Sequence, residues 1–355
     1  MADLDDARLY STFDPTNMLA RIDGLPRQCL QAWRGALDFT LPADYSTVDK
    51  VVVLGMGGSA IGGDLLRCLA LEQSTIPVAV HRDYDLPPWV DERTLVIASS
   101  YSGNTEETVS SFSAALSTPA RKLVVTTGGR LKALAEEARV PVLHLDTAME
   151  PRTAFGYSFF SLLGFAQKLG IVSLDRGEVE ETLRIAEEGS ATMGRHVPAE
   201  RNTAKQLATR LGDRLIVVYG AGVLSPVAFR WKTQFNENSK ESAFAETLPE
   251  LNHNSVVGYN LPPWLAGRTS VVMLRSSLLN PRILKRYDVT AELLTNAGFA
   301  CEFVDARGRS SLAHMVSTVH VGDYASYYLA LLNSVDPSPV AVIDRLKRRL
   351  AEPGG

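Results

Sequence analysis

The sequence predicts an α/β protein built from two doubly wound parallel-sheet domains with flanking helices, and three observations carry that expectation. Short apolar, often β-branched runs alternate with helical stretches, the pattern of strands buried on both faces. The alternation stops near residue 155 and begins again after residue 200. At 355 residues the chain is also too long for one small core and fits two.

Residues 1–45 read as a helical segment, with a start signal at Asp14-Pro15-Thr16-Asn17 and an apolar stripe through Met18, Leu19, Ile22 and Leu25 that would cap the first core. The first domain, 46–155, has strand-like runs at Val51 to Leu54, Val78 to Val80, Thr94 to Ala98, Leu123 to Val125 and Val140 to Leu143, with a helix over Asp64 to Leu71. Residues 156–200 form a linker-like helical connection, charge-rich from Glu178 to Glu188. From 201 to 355 a second domain is expected: strand Leu215 to Gly220, helix Pro226 to Gln234, strand Ser270 to Leu274, helix Leu284 to Asn296, strand Cys301 to Val304 and a terminal helix. Val53-Leu54-Gly55 corresponds to Val218-Tyr219-Gly220, and Ala98-Ser99-Ser100 to Leu274-Arg275-Ser276, so the second half repeats the first without its glycine and serine enrichment.

Composition narrows the function. A net charge of −4 lacks the basic excess that nucleic-acid binding needs, so any phosphate site must be local. The acidic start, Met-Ala-Asp-Leu-Asp-Asp, does not resemble a signal peptide and no apolar run is long enough to span a membrane, which predicts a soluble, cytoplasmic protein. Cys29, Cys68 and Cys301 lack CxxC spacing and read as reduced packing residues, and no metal-ligand spacing is evident.

Two loops carry the first chemistry. Gly55-Met56-Gly57-Gly58-Ser59-Ala60-Ile61-Gly62-Gly63 follows a strand and opens a helix, where glycines let an anion approach free backbone amides. Alone, this run also fits a dinucleotide fingerprint with Asp83 as the ribose contact, but Ser59 beside the glycines suits a terminal phosphate better. The second loop, Ser99-Ser100-Tyr101-Ser102-Gly103-Asn104-Thr105-Glu106-Glu107-Thr108, follows the strand Thr94 to Ala98. One hydroxyl there would be an ordinary helix cap, whereas Ser99, Ser100, Ser102 and Thr105 together can surround a phosphoryl group.

Tyr-Ser-Gly-Asn-Thr-Glu-Glu-Thr resembles the signature of sugar isomerase (SIS) domains, and Gly-Met-Gly-Gly-Ser resembles their first phosphate loop. Thr126 to Leu131, Phe235-Asn236-Glu237-Asn238-Ser239-Lys240 and Leu248-Pro249-Glu250-Leu251-Asn252-His253-Asn254 are similar to the bifunctional phosphoglucose/phosphomannose isomerase family, from about residue 45 to Leu350. The resemblance implies two SIS-type domains and an aldose-ketose isomerase of glucose 6-phosphate and fructose 6-phosphate, working through an enediolate with neither redox cofactor nor metal. It places Gly58, Ser59, Ser100, Ser102 and Thr105 on the sugar phosphate, Glu237 as the proton-transfer base between C1 and C2, and Arg152 on the anionic intermediate. It assigns His253 and Lys347 to ring opening, and it implies a homodimer in which His253 enters the partner's site.

The residues add their own reading. Asn236 and Asn238 are amides able to orient the Glu237 carboxylate without neutralising it. His253 lies in a polar loop between Pro249 and Pro262 that is expected to project from its own core, whereas His144 and His314 fall in apolar contexts and read as packed core histidines. Where family members that take both C2 epimers can carry a threonine, this chain reads Pro337-Ser338-Pro339-Val340, which leaves acceptance of mannose 6-phosphate open. A non-catalytic sugar-phosphate sensor, a nicotinamide-dependent enzyme and an isomerase of an amino-sugar phosphate are the alternatives.

Overall fold

A computed structural model describes residues 2–350 and residue 352, so the outermost positions of the first and last predicted segments lie outside it. The N-terminal segment forms helices α1 (Ala7–Phe13), α2 (Met18–Asp23) and α3 (Leu25–Asp38). The start signal before α2 acts through Asp14: its carboxylate accepts from the amides of Met18 (2.7 Å) and Leu19 (3.1 Å) and from the Tyr327 hydroxyl (2.9 Å).

The first sheet contains β1 (Lys50–Leu54), β2 (Val78–His81), β3 (Thr94–Ser99), β4 (Arg121–Thr126) and β5 (Val142–His144), all parallel in the order β2-β1-β3-β4-β5. Helices α4 (Gly57–Gln73), α5 (Glu106–Leu116) and α6 (Gly129–Glu137) connect them. The helix expected from Asp64 starts seven residues earlier, inside the glycine run, so that run is itself a helix N-terminus. Two helices follow, α7 (Phe155–Lys168) and α8 (Arg176–Met193), and then α9 (Thr203–Leu211).

The second sheet has β6 (Leu215–Ala221), β7 (Ala243–Leu248), β8 (Thr269–Arg275) and β9 (Ala300–Asp305), parallel in the order β7-β6-β8-β9, with α10 (Ser225–Gln234) and α11 (Pro281–Asn296) between strands. Its order repeats β2-β1-β3-β4, and the matched segments are the equivalent strand ends: β1 with β6, and β3 with β8. The strand β7 was not anticipated. Its exposed Phe244 lies on a sheet edge, and Glu246 and Thr247 break the apolar pattern.

Helix α12 (Ser311–Leu332) runs between the halves with 19 of its 22 residues buried, and α13 (Ala341–Leu350) ends the described chain with none buried. One core cluster unites α3, α4, α7, α10 and α12 with the inner faces of both sheets, so the helical connection after residue 155 is interior packing rather than a surface linker. The Cys29 thiol is fully buried, and burial pushes Cys68 and Cys301 up to about 11, which keeps them as thiols at neutral pH. Buried His314 donates or accepts against Ser276 (2.7 Å) and the Gly308 carbonyl (3.0 Å), as expected of a core histidine. His144 is different: it ends the short edge strand β5 and is exposed, because β5 has no neighbour on its outer side to cover it.

Helix α10 lies on α12 at Gly322, where a Cβ would sit 2.3 Å from Nε1 of Trp231, and that indole donates to the Thr318 carbonyl at 3.0 Å. Neither a flexible atom nor free space absorbs an added methyl there. Gly322→Ala is therefore expected to lower the unfolding free energy by about 1–3 kcal/mol, read as a shifted urea midpoint with an unchanged m-value.

Candidate active site

The two glycine- and serine-rich loops sit at the carboxyl ends of neighbouring strands β1 and β3, where the strand order reverses and α/β sheets hold ligands. They are locked together. A Cβ on Gly55 would lie 2.9 Å from the Ser99 carbonyl oxygen, and the Tyr101 amide donates to Ser59 Oγ at 3.1 Å. Gly103, with φ +67°, passes so close to the 126–128 turn that a Cβ would overlap the Gly128 carbonyl. Within the second loop Ser100 Oγ donates to Thr105 Oγ1 (3.1 Å), and Ser102 Oγ accepts from the Asn104 amide (3.3 Å). Ser59 and Ser100 are buried, Thr105 is half-buried and Ser102 is exposed, so the hydroxyls form a graded wall rather than a uniformly open one.

The first loop packs against the segment that carries Arg152. A Cβ on Gly58 would lie 3.0 Å from the Pro151 carbonyl oxygen and 3.7 Å from Arg152 Cα. Tyr101 holds the same segment, since its hydroxyl donates to the Thr147 carbonyl (3.1 Å) and accepts from the Met149 amide (3.0 Å). Glu150 is fixed by Arg21 at 2.8 Å.

Arg152 is only 5% exposed and is shared among three segments. Nε donates to Asn238 Oδ1 (2.7 Å), and Nη2 donates to the carbonyls of Pro337 (2.6 Å) and Ser338 (2.7 Å). Nη1, which makes no hydrogen bond among the described residues, lies 3.7 Å from Oε2 of Glu237. Burial pulls the guanidinium below its ordinary value while the Glu237 carboxylate pulls the other way, and an arginine so placed remains a cation.

Glu237 sits in a wide π-type turn, Phe235–Ser239, that continues α10. Its side chain is 32% exposed and receives no hydrogen bond among the described residues, which leaves its lone pairs available to a substrate proton. The flanking amides do not orient it, contrary to the sequence reading. Asn238 is turned inward to Arg152 and Ser326 Oγ (3.0 Å), and Asn236 donates back to the Glu241 carbonyl (2.8 Å). Glu237, Asn236, Lys240 and residues 339–343 line a cleft of about 540 Å³.

Among the described residues His253 and Lys347 make no polar contact with this pair. Glu237 precedes β7, beside the start of that strand, and His253 follows its end; six residues at about 3.3 Å each put roughly 20 Å between the two turns. The loop after β7 does not project from its core as expected. Leu251 and Tyr259 are buried in a separate cluster with Tyr219, Met273 and Tyr287, and Asn252 Nδ2 donates to Thr290 on α11 (2.8 Å), because short 3-10 turns give the loop an apolar face of its own. His253 itself stays exposed. Lys347 is exposed on α13, one turn beyond Ile343, the residue of that face that lines the cleft.

Sequence reasoning missed Lys240, which folds back over the catalytic turn, and the Arg230–Asp323 pair behind it. Arg230 Nη2 donates to both carboxylate oxygens of Asp323 (2.8 Å each) and to the Arg152 carbonyl (3.0 Å). Asn-Glu-Asn-Ser-Lys points to Glu237, but nothing local signals that the exposed lysine folds back onto backbone carbonyls.

Residues 200–350 match the bacterial phospho-glucose isomerase C-terminal SIS domain family. The chain is 41% identical over 336 residues to the bifunctional phosphoglucose/phosphomannose isomerase of Caldicellulosiruptor bescii, covering 94% of this chain and 99% of that protein. It is 34% identical to the protein of the same name from Thermoplasma volcanium, covering 85% and 92%. A hypothetical protein of Thermus thermophilus shares the fold at a TM-score of 0.73 and 19% identity, over 97% of this chain and 93% of the other.

The buried fork of Arg152 has a stability consequence. Arg152→Met leaves Asn238 Oδ1 and the Ser338 carbonyl without a donor and is expected to cost about 2–4 kcal/mol in chemical denaturation, whereas Glu237→Gln, at a partly exposed site, should change stability by less than about 1 kcal/mol.

Proposed function

Because the chain belongs to the bifunctional phosphoglucose/phosphomannose isomerase family, we propose that it interconverts glucose 6-phosphate, and mannose 6-phosphate, with fructose 6-phosphate. The observation that carries the reading is the meeting of Glu237 and Arg152 at 3.7 Å beside the glycine loop that contacts Pro151 and Arg152. A sugar-phosphate sensor needs the loops but has no use for an unbonded carboxylate aimed at a guanidinium donor.

The chemistry follows from what each group has left to give. Gly58, Ser59, Ser100, Ser102 and Thr105 bind the phosphate and supply the remote binding energy that fixes the sugar. Glu237 takes the C2 proton as a carboxylate and returns it at C1. Charge grows on the enediolate oxygens meanwhile, and Arg152 Nη1, the one part of the fork not already committed to protein acceptors, stabilises that charge more than the ground state. Ser338, at the position relevant to the C2 epimer, has its hydroxyl paired with Thr16 Oγ1 at 2.6 Å, so a mannose-specific contact through it would require that pair to open.

Ring opening needs an acid and a base at the ring oxygen and the anomeric hydroxyl, roles given to His253 and Lys347. The separation of His253 from Glu237 along β7 supports a two-fold dimer in which each His253 serves the partner's site. Among the described residues no helix is long and apolar enough to cross a membrane, which accords with action on a free small molecule in the cytoplasm.

The direct test offers fructose 6-phosphate and detects glucose 6-phosphate and mannose 6-phosphate separately. Activity is expected for the wild-type chain, and Glu237→Gln should lose about 10²-fold or more in kcat with near-normal KM. Retained exchange of a C1 proton of fructose 6-phosphate with solvent in that variant would move the base to another residue. For the shared site, inactive Glu237→Gln and His253→Ala chains are mixed under conditions of subunit exchange: activity is expected to reappear in the mixed dimer, and its absence from verified mixed dimers would place His253 in its own chain.

A further inference from the structure

Lys240 closes the turn that carries Glu237, and it does so at a residue where the backbone favours glycine. Its φ of 60° and ψ of 21° are left-handed, the conformation of a helix C-terminal glycine, which a side chain adopts at some cost. The residue is exposed, yet its ammonium folds back onto backbone carbonyls. Nζ donates to the carbonyls of Glu237, Pro339 (2.8 Å) and Pro337 (3.3 Å). Arg152 Nη2 meanwhile holds the carbonyls of Pro337 and Ser338. Two cations thus share three consecutive carbonyls of one strap, Pro337–Pro339, which leads directly into α13 and lies at the rim of the catalytic cleft.

We propose that Lys240 is a positioning residue of the isomerisation, whose ammonium clasps the Pro337–Pro339 strap to the Glu237 turn and so holds Arg152 and the helix of Lys347 in place over the cleft. The proposal rests on the isomerase reading above and deepens it. An ammonium has three N–H donors for the three carbonyls, whereas the neutral amine has two and turns a lone pair toward the third. Deprotonation therefore loosens the strap without breaking the fold.

The surrounding charges put that change within reach of an assay. Burial, with Arg152 adding to it, pushes the Lys240 ammonium down to about 8, opposed by Asp336 on the strap and by Glu237. Glu241, the next residue, is engaged by Asn333 (2.9 Å), and the first turn of α13 presents only Val340 to Ile343 to the cleft. The sign follows: below about pH 8 the clasp is closed, and as pH rises through that value it opens and turnover falls.

Three proteins test this: wild type, Lys240→Arg, which keeps a charge that does not titrate, and Lys240→Gly, which suits the left-handed backbone and removes the clasp. Wild-type kcat/KM for fructose 6-phosphate is expected to fall with an apparent pKa near 8. Lys240→Arg should stay within about threefold of wild type at pH 7 with no such fall up to pH 10. Lys240→Gly should lose about 10- to 100-fold at pH 7, lack the fall, and melt no lower than wild type. Hydrogen exchange over residues 336–350, corrected for intrinsic rates, reads the clasp without activity: protected at pH 7 and released at pH 9 in wild type, protected at both in Lys240→Arg, released at both in Lys240→Gly. Unchanged kcat/KM in Lys240→Gly, the same alkaline fall in Lys240→Arg, or an unprotected strap in wild type at pH 7 overturns the proposal. A protected, pH-responsive strap in a protein that does not isomerise sugar phosphates would instead overturn the isomerase reading and leave the clasp standing.

Discussion

Everything in the site depends on one buried cation. Taking the Arg152 guanidinium out of water is costly, and the cost is offset only because Asn238 and the carbonyls of Pro337 and Ser338 meet its donors at 2.6–2.7 Å. Those partners come from segments 86 and 185 residues or more away in sequence, so satisfying one side chain brings together the turn before α7, the catalytic turn after α10 and the strap before α13. What remains of the fork then faces Glu237. The same desolvation that would destabilise an isolated charge makes the uncommitted Nη1 a strong partner for a developing anion.

The packing behind the cation explains why the arrangement is rigid. Arg230, buried on α10 and stacked over Phe155 at 4.6 Å, links Asp323 of α12 to the Arg152 carbonyl. Trp231, its neighbour, fits against Gly322 of the same helix. Consecutive residues of α10 thus fix the helix to the interior of the molecule, and the π-type turn at its end has little freedom to carry Glu237 away. The first glycine loop is fixed from the other side by Ser158, whose hydroxyl donates to the Gly58 carbonyl at 3.2 Å. Both the glycine loop and the Arg230–Arg152 link are therefore referenced to α7, and a shift of that helix would move the loop and the arginine together.

Much of this was legible in the sequence, and the limits have physical causes. The parallel strands of the first sheet announce themselves because burial on both faces demands uninterrupted β-branched runs, as in Val51 to Leu54. Edge strand β7 is covered on one side only, so its sequence carries Phe244 and Glu246 and hides its period. Helix α12 is apolar nearly all round, and a helix buried on every face shows no stripe. Glu237 and Arg152 were recognisable as residue types in motifs, but their meeting was not, since it depends on acceptors contributed by distant backbone. Asn238 illustrates the point: beside Glu237 in sequence, it points the opposite way around the turn and serves the arginine.

Strand polarity separates His253 from Glu237 within one chain, since the two lie at opposite ends of β7. The phosphate loops occupy the carboxyl edge of the first sheet, while Glu237, lying beside the start of β7, occupies the amino edge of the second. The approach of Arg152 to Glu237 at 3.7 Å and the packing of Gly58 on Pro151 link the first loop to the carboxylate within a single chain. Anything attached to the carboxyl edge of the second sheet lies a full strand length away, and His253 is attached there, on a loop whose buried Leu251 prevents it from swinging back. The two elements that carry His253 and Lys347 also expose apolar residues, Val257, Leu261 and Trp264 on the first and Val342 and Leu346 on α13.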